Sequence, residues 1–151
     1  EVYKRRGVGR AGTGVDNVDV PAATRRGIVV CNAAGSNSLS AAEHAIALLV
    51  SQARNIPQAH ASLVQGRWER SKFGGIEVTG KTLGVVGFGR IGQMVAERAK
   101  GLGMNVIAYD PLVGEGRYRE LGVEKAETPE DLYGGSAFSS LTLASTPATR
   151  C

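Results

Sequence analysis

A glycine-rich turn between an apolar run and an amphipathic segment constrains the fold of this chain more than any other feature. The turn, residues 87–92 (GFGRIG), follows the apolar run 82–86, and apolar residues recur at helical spacing over residues 91–102. A second apolar run occupies residues 104–109. The order strand, glycine turn, helix, strand is that of a β-α-β unit, and it predicts an α/β fold with a Rossmann-type parallel sheet.

The three glycines of the turn have the spacing that a dinucleotide-binding turn requires. Gly87 permits a tight turn after the strand, Gly89 lets the backbone approach the pyrophosphate, and Gly92 lets the helix pack closely on the strand. The N–H groups at the start of the helix would point at the phosphates, and Arg90 adds a positive charge beside them. The sequence therefore predicts a dinucleotide site at this turn.

Asp110 ends the second strand, where a carboxylate can accept hydrogen bonds from the adenosine ribose hydroxyls. The same negative charge would repel a 2′-phosphate, so the sequence favours NAD over NADP. A structural alternative remains open, because Asp110 precedes Pro111 and this pair commonly opens a loop. The two roles are compatible in one residue.

The N-terminal part of the chain predicts a second β-α-β pattern. A strand beginning at Gly7 would end in the glycine-rich turn 12–14, and a helix would begin near Pro21. Residues 28–31 (IVVC) form a short β-branched run, which predicts a buried parallel strand and a buried, inert thiol at Cys31. A second β-α-β unit is therefore partly present.

Two helices are expected between these units. Ser40 and Glu43 have the spacing of a capping box at the start of a long helix with one apolar face. Pro57 either interrupts that helix or starts another that runs to about Gly66. Trp68, in the irregular link that follows, is interpreted as a packing anchor.

The pattern weakens beyond Pro111. Residues 121–123 (LGV) predict a short strand, Thr128 predicts the start of a helix, and residues 138–143 predict a further strand. No internal repeat or low-complexity segment is present in the sequence.

Composition and charge argue against several classes of protein. The chain has 151 residues, 42% hydrophobic and 21% charged, which is ordinary for a globular domain. The net charge of +4 is scattered apart from the cluster 4–6, which argues against nucleic-acid binding. No apolar run has membrane-spanning length, and Cys31 and Cys151 lie in no metal-binding spacing and fit a reducing cytoplasm. Since the first residue is Glu1, we expect a chain cut at its start.

Three segments resemble the D-2-hydroxyacid dehydrogenase family, namely residues 10–19 (RAGTGVDNVD), 37–43 (NSLSAAE) and 80–92 (GKTLGVVGFGRIG). The resemblance covers most of the chain up to Pro111. Residues 68–73 (WERSKF) are most similar to the members that act on 3-phosphoglycerate. The resemblance implies an NAD-dependent oxidoreductase for a D-2-hydroxy acid, with 3-phosphoglycerate as the expected substrate, at the first step of L-serine biosynthesis.

The resemblance also implies a domain organisation. In this family a nucleotide-binding domain is inserted into the chain of a substrate domain, and the two face each other across a cleft. Residues 1–36 would be the end of the N-terminal, flavodoxin-like part of the substrate domain. Residues 37–79 would form linking helices, and residues 80–151 would be an incomplete NAD-binding Rossmann domain.

Binding residues follow from the resemblance position by position. Thr13 would lie near the nicotinamide, and the backbone amides of Gly12 and Thr13 would face the substrate carboxylate. Arg90 and Ile91, together with the three glycines of the turn, would contact the pyrophosphate. Asp110 would bind the ribose.

The tail from Phe138 departs from the family pattern. It places Leu143 near NAD, but Thr142 and Ala144 stand where the family has a His and a Pro. The Arg, Glu and His that bind substrate and transfer the proton follow Cys151 in the family's order. We therefore expect no catalytic residue and no turnover in this chain alone.

Two alternatives remain open from the sequence. The substrate could be that of another family member, such as glyoxylate, hydroxypyruvate or D-lactate, or the chain could be a non-catalytic NAD-binding or assembly module. His44 and His60 match no catalytic motif and are interpreted as packing or surface residues. The resemblance implies a homo-oligomer, a dimer or a tetramer, for the full-length protein.

Overall fold

The computed structural model describes residues 7–143, which divide into two compact units, one ending at Leu39 and the other beginning at Ser40. The expectations that concern the basic cluster 4–6, Ala144 and Cys151 lie outside the described residues. No helix within the described range is long and apolar enough to span a lipid bilayer.

The first unit contains a two-stranded parallel sheet and one helix. Strand β1 (Gly7–Arg10) pairs in parallel with β2 (Val29–Asn32), and helix α1 (Val20–Arg25) connects them. The Asp19 carboxylate caps α1 by accepting the Ala22 N–H at 2.8 Å. The strand-helix-strand order predicted for this part of the chain is confirmed.

β2 is exposed, so the prediction of a buried strand is wrong. Val29 is 61% exposed, and Cys31 is exposed as well, so the buried thiol expected there is also wrong. Within residues 7–39, β2 pairs with β1 alone and is contacted by α1, whose one buried residue is Ala23. A strand is buried only where both faces are covered, and its own apolar residues do not specify that cover.

Helix α2 (Ser38–Ala53) begins two residues before the capping box expected at Ser40, so that expectation is wrong. The backbone turns at Gly35, whose φ is 83°, and Ser38 donates its N–H to the Gly35 carbonyl at 3.2 Å. This turn starts the helix early. Ser40 therefore lies inside the first turn of α2 rather than at its cap.

Helix α3 (Ile56–Val64) is a separate helix, which confirms the second of the two readings of Pro57. Asn55 adopts the left-handed conformation between α2 and α3, with a φ of 53°, and its side-chain amide donates to the Gly74 carbonyl at 2.9 Å. Pro57 then lies in the first turn of α3, where no N–H is needed. A short 3₁₀ helix at Arg70–Phe73 follows.

Glu69 organises the link after α3. Its carboxylate accepts hydrogen bonds from Ser62 Oγ at 2.9 Å, from Arg67 Nε at 3.2 Å and from the Lys72 ammonium. These partners, Lys72 foremost, lower the pKa of Glu69 from 4.5 to about 2. Trp68 beside it is 78% exposed, so its expected role as a packing anchor is wrong. Polar contacts of Glu69 therefore hold this link.

The second unit contains a four-stranded parallel sheet. The elements from residue 82 onward are β3 (Thr82–Val86), α4 (Arg90–Gly101), β4 (Asn105–Tyr109), α5 (Glu115–Leu121), β5 (Glu124–Lys125), α6 (Pro129–Gly135) and β6 (Phe138–Leu141). The strand order is β5-β4-β3-β6, and all pairs are parallel. The expected α/β fold with a parallel sheet is confirmed, and β3, α4 and β4 lie within one residue of their predicted bounds.

β3 lies at the centre of the sheet and is buried. Leu83 and Val85 are 0% exposed and Val86 is 5% exposed. The larger of the two core clusters packs Leu83 and Val85 against α4, β4 and α5, whereas Val86 belongs to the smaller cluster. The other buried members of the larger cluster include Ala42, Phe88, Val95, Ala96, Ala99, Met104, Val106, Ala108, Tyr118 and Val123. The continuous apolar run of β3 is thus that of a strand covered on both faces.

The segment after β4 differs in part from its prediction. Residues 121–123 form no strand, because α5 ends at the first of them and Gly122, with a φ of 58°, caps that helix in the left-handed conformation. β5 begins only at Glu124. The helix start at Thr128 is confirmed, since Thr128 and Asp131 form a capping box at the start of α6.

Candidate cofactor-binding site

The glycine turn joins the carboxyl end of β3 to the N-terminus of α4. Gly87 has a φ of 90°, which favours glycine, and it donates its N–H to the Tyr109 carbonyl of β4 at 2.8 Å. The chain can therefore turn at once, and Gly89 becomes the N-cap of α4. The turn lies beyond the carboxyl ends of two adjacent parallel strands, which is where open α/β sheets bind their ligands.

Gly92 brings α4 close to the end of β3. It is buried, and a Cβ at this position would lie 2.1 Å from the Gly87 carbonyl oxygen and 2.9 Å from Thr142 Oγ1. A larger residue would have to displace backbone in a closely packed region. The geometry agrees with the helix-packing role predicted for this glycine.

Gly89 lies in the open. It is exposed, and a Cβ built on it would meet no atom of residues 7–143 within 4 Å. α4 has 12 residues, and the first N–H groups of such a helix have no partner inside it and carry a partial positive charge. Arg90 is exposed beside them, whereas Ile91 packs against the core. The N-terminal end of α4 therefore offers room for an anion, together with N–H donors and a positive charge.

Asp110 lies just beyond β4, next to the turn. Its Oδ2 accepts the Phe88 N–H at 2.8 Å, and its Oδ1 accepts the Leu112 N–H at 2.9 Å. The second bond is the turn-forming contact that the sequence left open as an alternative. Each carboxylate oxygen can accept a further hydrogen bond, and the residue is half-buried. Asp110 can therefore form the turn and still accept ribose hydroxyls.

A buried aromatic pair lies beneath the turn. Phe88 and Tyr118 are 0% and 2% exposed, and their rings stack with centroids 4.7 Å apart and planes at 22°. The Tyr118 hydroxyl donates to the Asp110 carbonyl at 3.3 Å, and burial raises the pKa of Tyr118 above its usual 10.0. One residue of α5 thus contacts both the glycine turn and Asp110.

Polar side-chain contacts link Arg117 of α5 to the turn through Gln93 of α4. Gln93 Nε2 donates to the Phe88 carbonyl at 2.8 Å. Arg117 donates to Gln93 Oε1 from Nε at 2.9 Å and from Nη2 at 2.8 Å, and its Nη1 donates to Glu120 at 2.7 Å. Sequence reasoning missed the contacts of Arg117 because α5 was not predicted. The one available signal was the position of Gln93, one turn into the helix after the glycines.

The end of β6 lies beside the turn. Thr142 donates its N–H to the Val86 carbonyl at 2.8 Å and its hydroxyl to the Gly87 carbonyl. Leu143 is 41% exposed, and its Cδ2 would lie 2.8 Å from a Cβ built on Gly87. The structure thus brings Leu143 to the glycine turn, and the atypical Thr142 holds the turn itself.

Gly12 and Thr13 lie in the first unit, after β1. Thr13 Oγ1 donates to Asn37 Oδ1 at 2.6 Å, and Asn32 Nδ2 donates to the Thr13 carbonyl at 2.7 Å. Two asparagines therefore fix an exposed threonine in the loop after β1. Neither contact was predicted, because an asparagine next to a turn is also a common loop residue.

The remaining candidate residues form no further site. His44 on α2 and His60 on α3 are exposed, so both are surface residues, which was one of the two interpretations given to them. Over residues 7–143, no group of three or more His, Cys, Asp or Glu side chains is placed to hold a metal ion.

The sequence matches a known family over most of its length. The profile of the family described as "D-isomer specific 2-hydroxyacid dehydrogenase, NAD binding domain" matches residues 46–151. A D-3-phosphoglycerate dehydrogenase of Archaeoglobus fulgidus is 60% identical over 78% of this chain, and one of Methanocaldococcus jannaschii is 51% identical over 95%. The chain spans 22% and 27% of the lengths of these two relatives.

Solved structures resemble the chain in fold and in sequence. The apo-structure of D-lactate dehydrogenase from Escherichia coli has a TM-score of 0.81 and 31% identity, and the match covers 95% of this chain and 45% of that one. A glyoxylate reductase from Paecilomyes thermophila has a TM-score of 0.83 and 31% identity, with 96% and 44% covered. These similarities agree with the α/β fold and with the resemblance carried by the three sequence segments.

Proposed function

Since the chain belongs to the family of D-isomer specific 2-hydroxyacid dehydrogenases and matches the NAD-binding domain of that family over residues 46–151, we propose that it is the cofactor-binding part of an NAD-dependent oxidoreductase. The enzyme would act on the CH–OH group of a D-2-hydroxy acid. NAD, when bound, exchanges a hydride with such a substrate. The residues of this chain bind and orient that cofactor.

One observation carries the proposal, namely that the glycine turn and Asp110 meet at the carboxyl ends of β3 and β4. The 2.8 Å hydrogen bond from the Phe88 N–H to Asp110 joins them directly. An open helix N-terminus suits the pyrophosphate of NAD, and a neighbouring carboxylate suits its ribose hydroxyls. The charge of that carboxylate disfavours the 2′-phosphate of NADP.

The proposed binding residues divide between cofactor and substrate. Those proposed to bind NAD are Thr13, Gly87, Gly89, Arg90, Ile91, Gly92, Asp110 and Leu143. Leu143 would supply apolar contact beside the turn, since its side chain is partly exposed there. Gly12 and Thr13 would present backbone amides to the substrate carboxylate.

The proposed substrate is 3-phosphoglycerate, and the product is 3-phosphohydroxypyruvate, as in the first step of L-serine biosynthesis. The support lies in sequence similarity. Proteins named D-3-phosphoglycerate dehydrogenase are 48% to 60% identical to this chain, whereas the D-lactate dehydrogenase and the glyoxylate reductase are each 31% identical. Glyoxylate, hydroxypyruvate and D-lactate are therefore the second choices.

The assembly and the compartment belong to the same proposal. We expect a homo-oligomer, a dimer or a tetramer, in the cytoplasm, where an exposed thiol such as Cys31 stays reduced. Size-exclusion chromatography with light scattering on the full-length protein measures the oligomeric state. A monomer at all concentrations would contradict that part of the proposal.

Steady-state assays of the full-length protein test the substrate. We expect the highest kcat/KM with 3-phosphoglycerate and NAD, followed through NADH absorbance, and lower values with D-lactate. In the reverse direction, with NADH, we expect a higher kcat/KM for 3-phosphohydroxypyruvate than for hydroxypyruvate or glyoxylate. A higher kcat/KM for one of these would overturn the substrate assignment and leave the cofactor assignment standing. The 151-residue chain alone should bind NAD without turnover.

A non-catalytic module would give a different result. The full-length protein would then bind NAD without oxidising any of these acids, and its association state would change with NAD concentration. That pair of observations would replace the enzyme proposal by an assembly function.

A further inference from the structure

We propose that Gln93, held by Arg117, is a positioning residue of the NAD site. Its side chain orients the Phe88–Gly89 peptide so that the Gly89 N–H faces the pyrophosphate. This role rests on the proposed function of the glycine turn. Gln93 and Arg117 act through the backbone of the turn rather than as cofactor ligands.

Side chains occupy most polar groups of the two peptides in the turn. In the Gly87–Phe88 peptide, the carbonyl accepts the Thr142 hydroxyl, and the N–H donates to Asp110 at 2.8 Å. In the Phe88–Gly89 peptide, the carbonyl accepts Gln93 Nε2 at 2.8 Å. Among residues 7–143, the Gly89 N–H has no hydrogen-bond acceptor. It is the one donor of these peptides that is left for a ligand.

The planarity of the peptide bond links the Phe88 carbonyl to the Gly89 N–H. The described residues include no cis peptide bond, so these two groups point in opposite directions. Because Gln93 holds the carbonyl, it directs the Gly89 N–H to the opposite side of the peptide. Gly89 is exposed, so an anion can reach this N–H.

Arg117 determines which end of the Gln93 amide faces the turn. A guanidinium carries donors only, so the Gln93 atom that faces it must be the oxygen. Nε and Nη2 of Arg117 both donate to Oε1, at 2.9 Å and 2.8 Å. The amide nitrogen is therefore left to face the Phe88 carbonyl. Without Arg117, the hydrogen bond to the Phe88 carbonyl alone sets the orientation of the amide.

A purely structural role for Gln93 predicts a different pattern of binding. If its hydrogen bond only stabilised the start of α4, its loss would weaken every ligand of the site equally. The positioning role acts on the pyrophosphate alone, because the ribose is bound at Asp110, which is held through the neighbouring peptide. Adenosine, which has the ribose and the base but no phosphate, separates the two roles.

The test measures Kd for NAD and for adenosine by NMR titration of the ¹⁵N-labelled chain. We expect Gln93→Met to raise the Kd for NAD about five- to tenfold, the effect of one lost hydrogen bond, and Arg117→Met to raise it less. Neither variant should change the Kd for adenosine by more than about twofold. Arg119→Met is the matched control, since Arg119 lies on the same helix and pairs with Glu115 at 2.9 Å.

The outcomes separate the positioning role from the proposed function. Equal weakening of NAD and adenosine in Gln93→Met, or unchanged NAD affinity, would overturn the positioning role. If Gln93→Met does not fold, Arg117→Met decides by the same comparison, because it keeps the Gln93 side chain. If the wild-type chain binds adenosine and NAD at a surface away from the turn, the proposed function itself is overturned.

Discussion

The carboxylate of Asp110 and the backbone N–H of Phe88 are joined by a hydrogen bond of 2.8 Å. The two residues are 22 positions apart in the sequence and belong to different parts of the proposed NAD site. Asp110 is the proposed ribose ligand, and Phe88 lies in the turn proposed for the pyrophosphate. Because one bond fixes their separation, a change at Asp110 acts on both parts of the site.

Asp110→Asn should weaken NAD binding and reduce the discrimination against NADP. The variant loses the charge that strengthens hydrogen bonds from the ribose hydroxyls, and such bonds contribute about 1.5–3 kcal/mol. We therefore expect the Kd for NAD to rise about tenfold or more. The Kd for NADP should change less, because the repulsion of its 2′-phosphate is lost at the same time. Isothermal titration calorimetry with both cofactors measures the ratio.

Glu97→Gln is the control for this charge change. Glu97 is an exposed carboxylate on α4, the helix that follows the turn. The variant therefore removes one negative charge, as Asp110→Asn does, but outside the proposed ribose site. An unchanged ratio of the two Kd values in Asp110→Asn would contradict the proposed ribose role.

Gly92→Ala should destabilise the fold. The added Cβ would lie 2.1 Å from the Gly87 carbonyl oxygen, and overpacking of this kind costs about 1–3 kcal/mol. Helix propensity acts in the opposite direction, since alanine is favoured over glycine by about 1 kcal/mol inside a helix. A net loss in the free energy of unfolding, measured by urea denaturation, would show that the close contact prevails.

Gly89→Ala is the matched substitution three residues earlier. Its Cβ would meet no atom of residues 7–143, so the free energy of unfolding should change by less than about 0.5 kcal/mol. NAD binding should nevertheless fall, because the methyl group occupies space proposed for the pyrophosphate. Equal destabilisation by the two variants would refute the difference in packing on which this comparison depends.

Tyr118→Phe should make stability less dependent on alkaline pH. Burial raises the pKa of Tyr118 above 10.0, so the folded protein keeps this proton at pH values where the unfolded chain has lost it. Wild-type stability therefore falls as the pH rises above about 10, and the variant lacks this contribution. At neutral pH the variant should lose about 1 kcal/mol with the hydrogen bond to Asp110. Tyr133→Phe, at a tyrosine that is 49% exposed, is the control.

Glu69→Gln should destabilise the fold above pH 4.5 and make its stability less dependent on acid pH. The pKa of Glu69 is lowered from 4.5 to about 2 by Lys72, Ser62 and Arg67. The carboxylate therefore stabilises the fold above pH 4.5, and this contribution is lost as the pH falls from 4.5 towards 2. The difference in unfolding free energy between wild type and variant should shrink over that interval. A constant difference in urea denaturation at several pH values would contradict the account.

The sequence predicted the central β-α-β unit within one residue because its two signals are local. A buried parallel strand needs a continuous apolar run, and the glycines mark where it turns into α4. The same reasoning failed for β2, whose residues are equally β-branched but whose faces are not both covered. The burial of a strand depends on what packs against it, and the residues of the strand itself do not specify those neighbours.

Parts of the candidate site were not predictable for a related reason. α5 (EGRYREL) buries Tyr118 alone among its residues, so it shows no apolar periodicity and was missed. Arg117 and the Phe88–Tyr118 stack were therefore missed as well, because both depend on α5. Gln93 and Thr142 bind backbone carbonyls of the turn, and such contacts depend on the path of the main chain rather than on spacing. The glycines and Asp110 could be predicted as site residues because their chemistry requires particular residue types at fixed spacing.

The central claim is that the turn 87–92 binds NAD together with Asp110. NMR titration of the ¹⁵N-labelled chain with NAD tests it directly, since each backbone amide reports on its own surroundings. We expect the largest saturable shifts at the amides of Phe88, Gly89, Arg90 and Asp110. No saturable shift, or the largest shifts on a surface away from the turn such as α3, would contradict it.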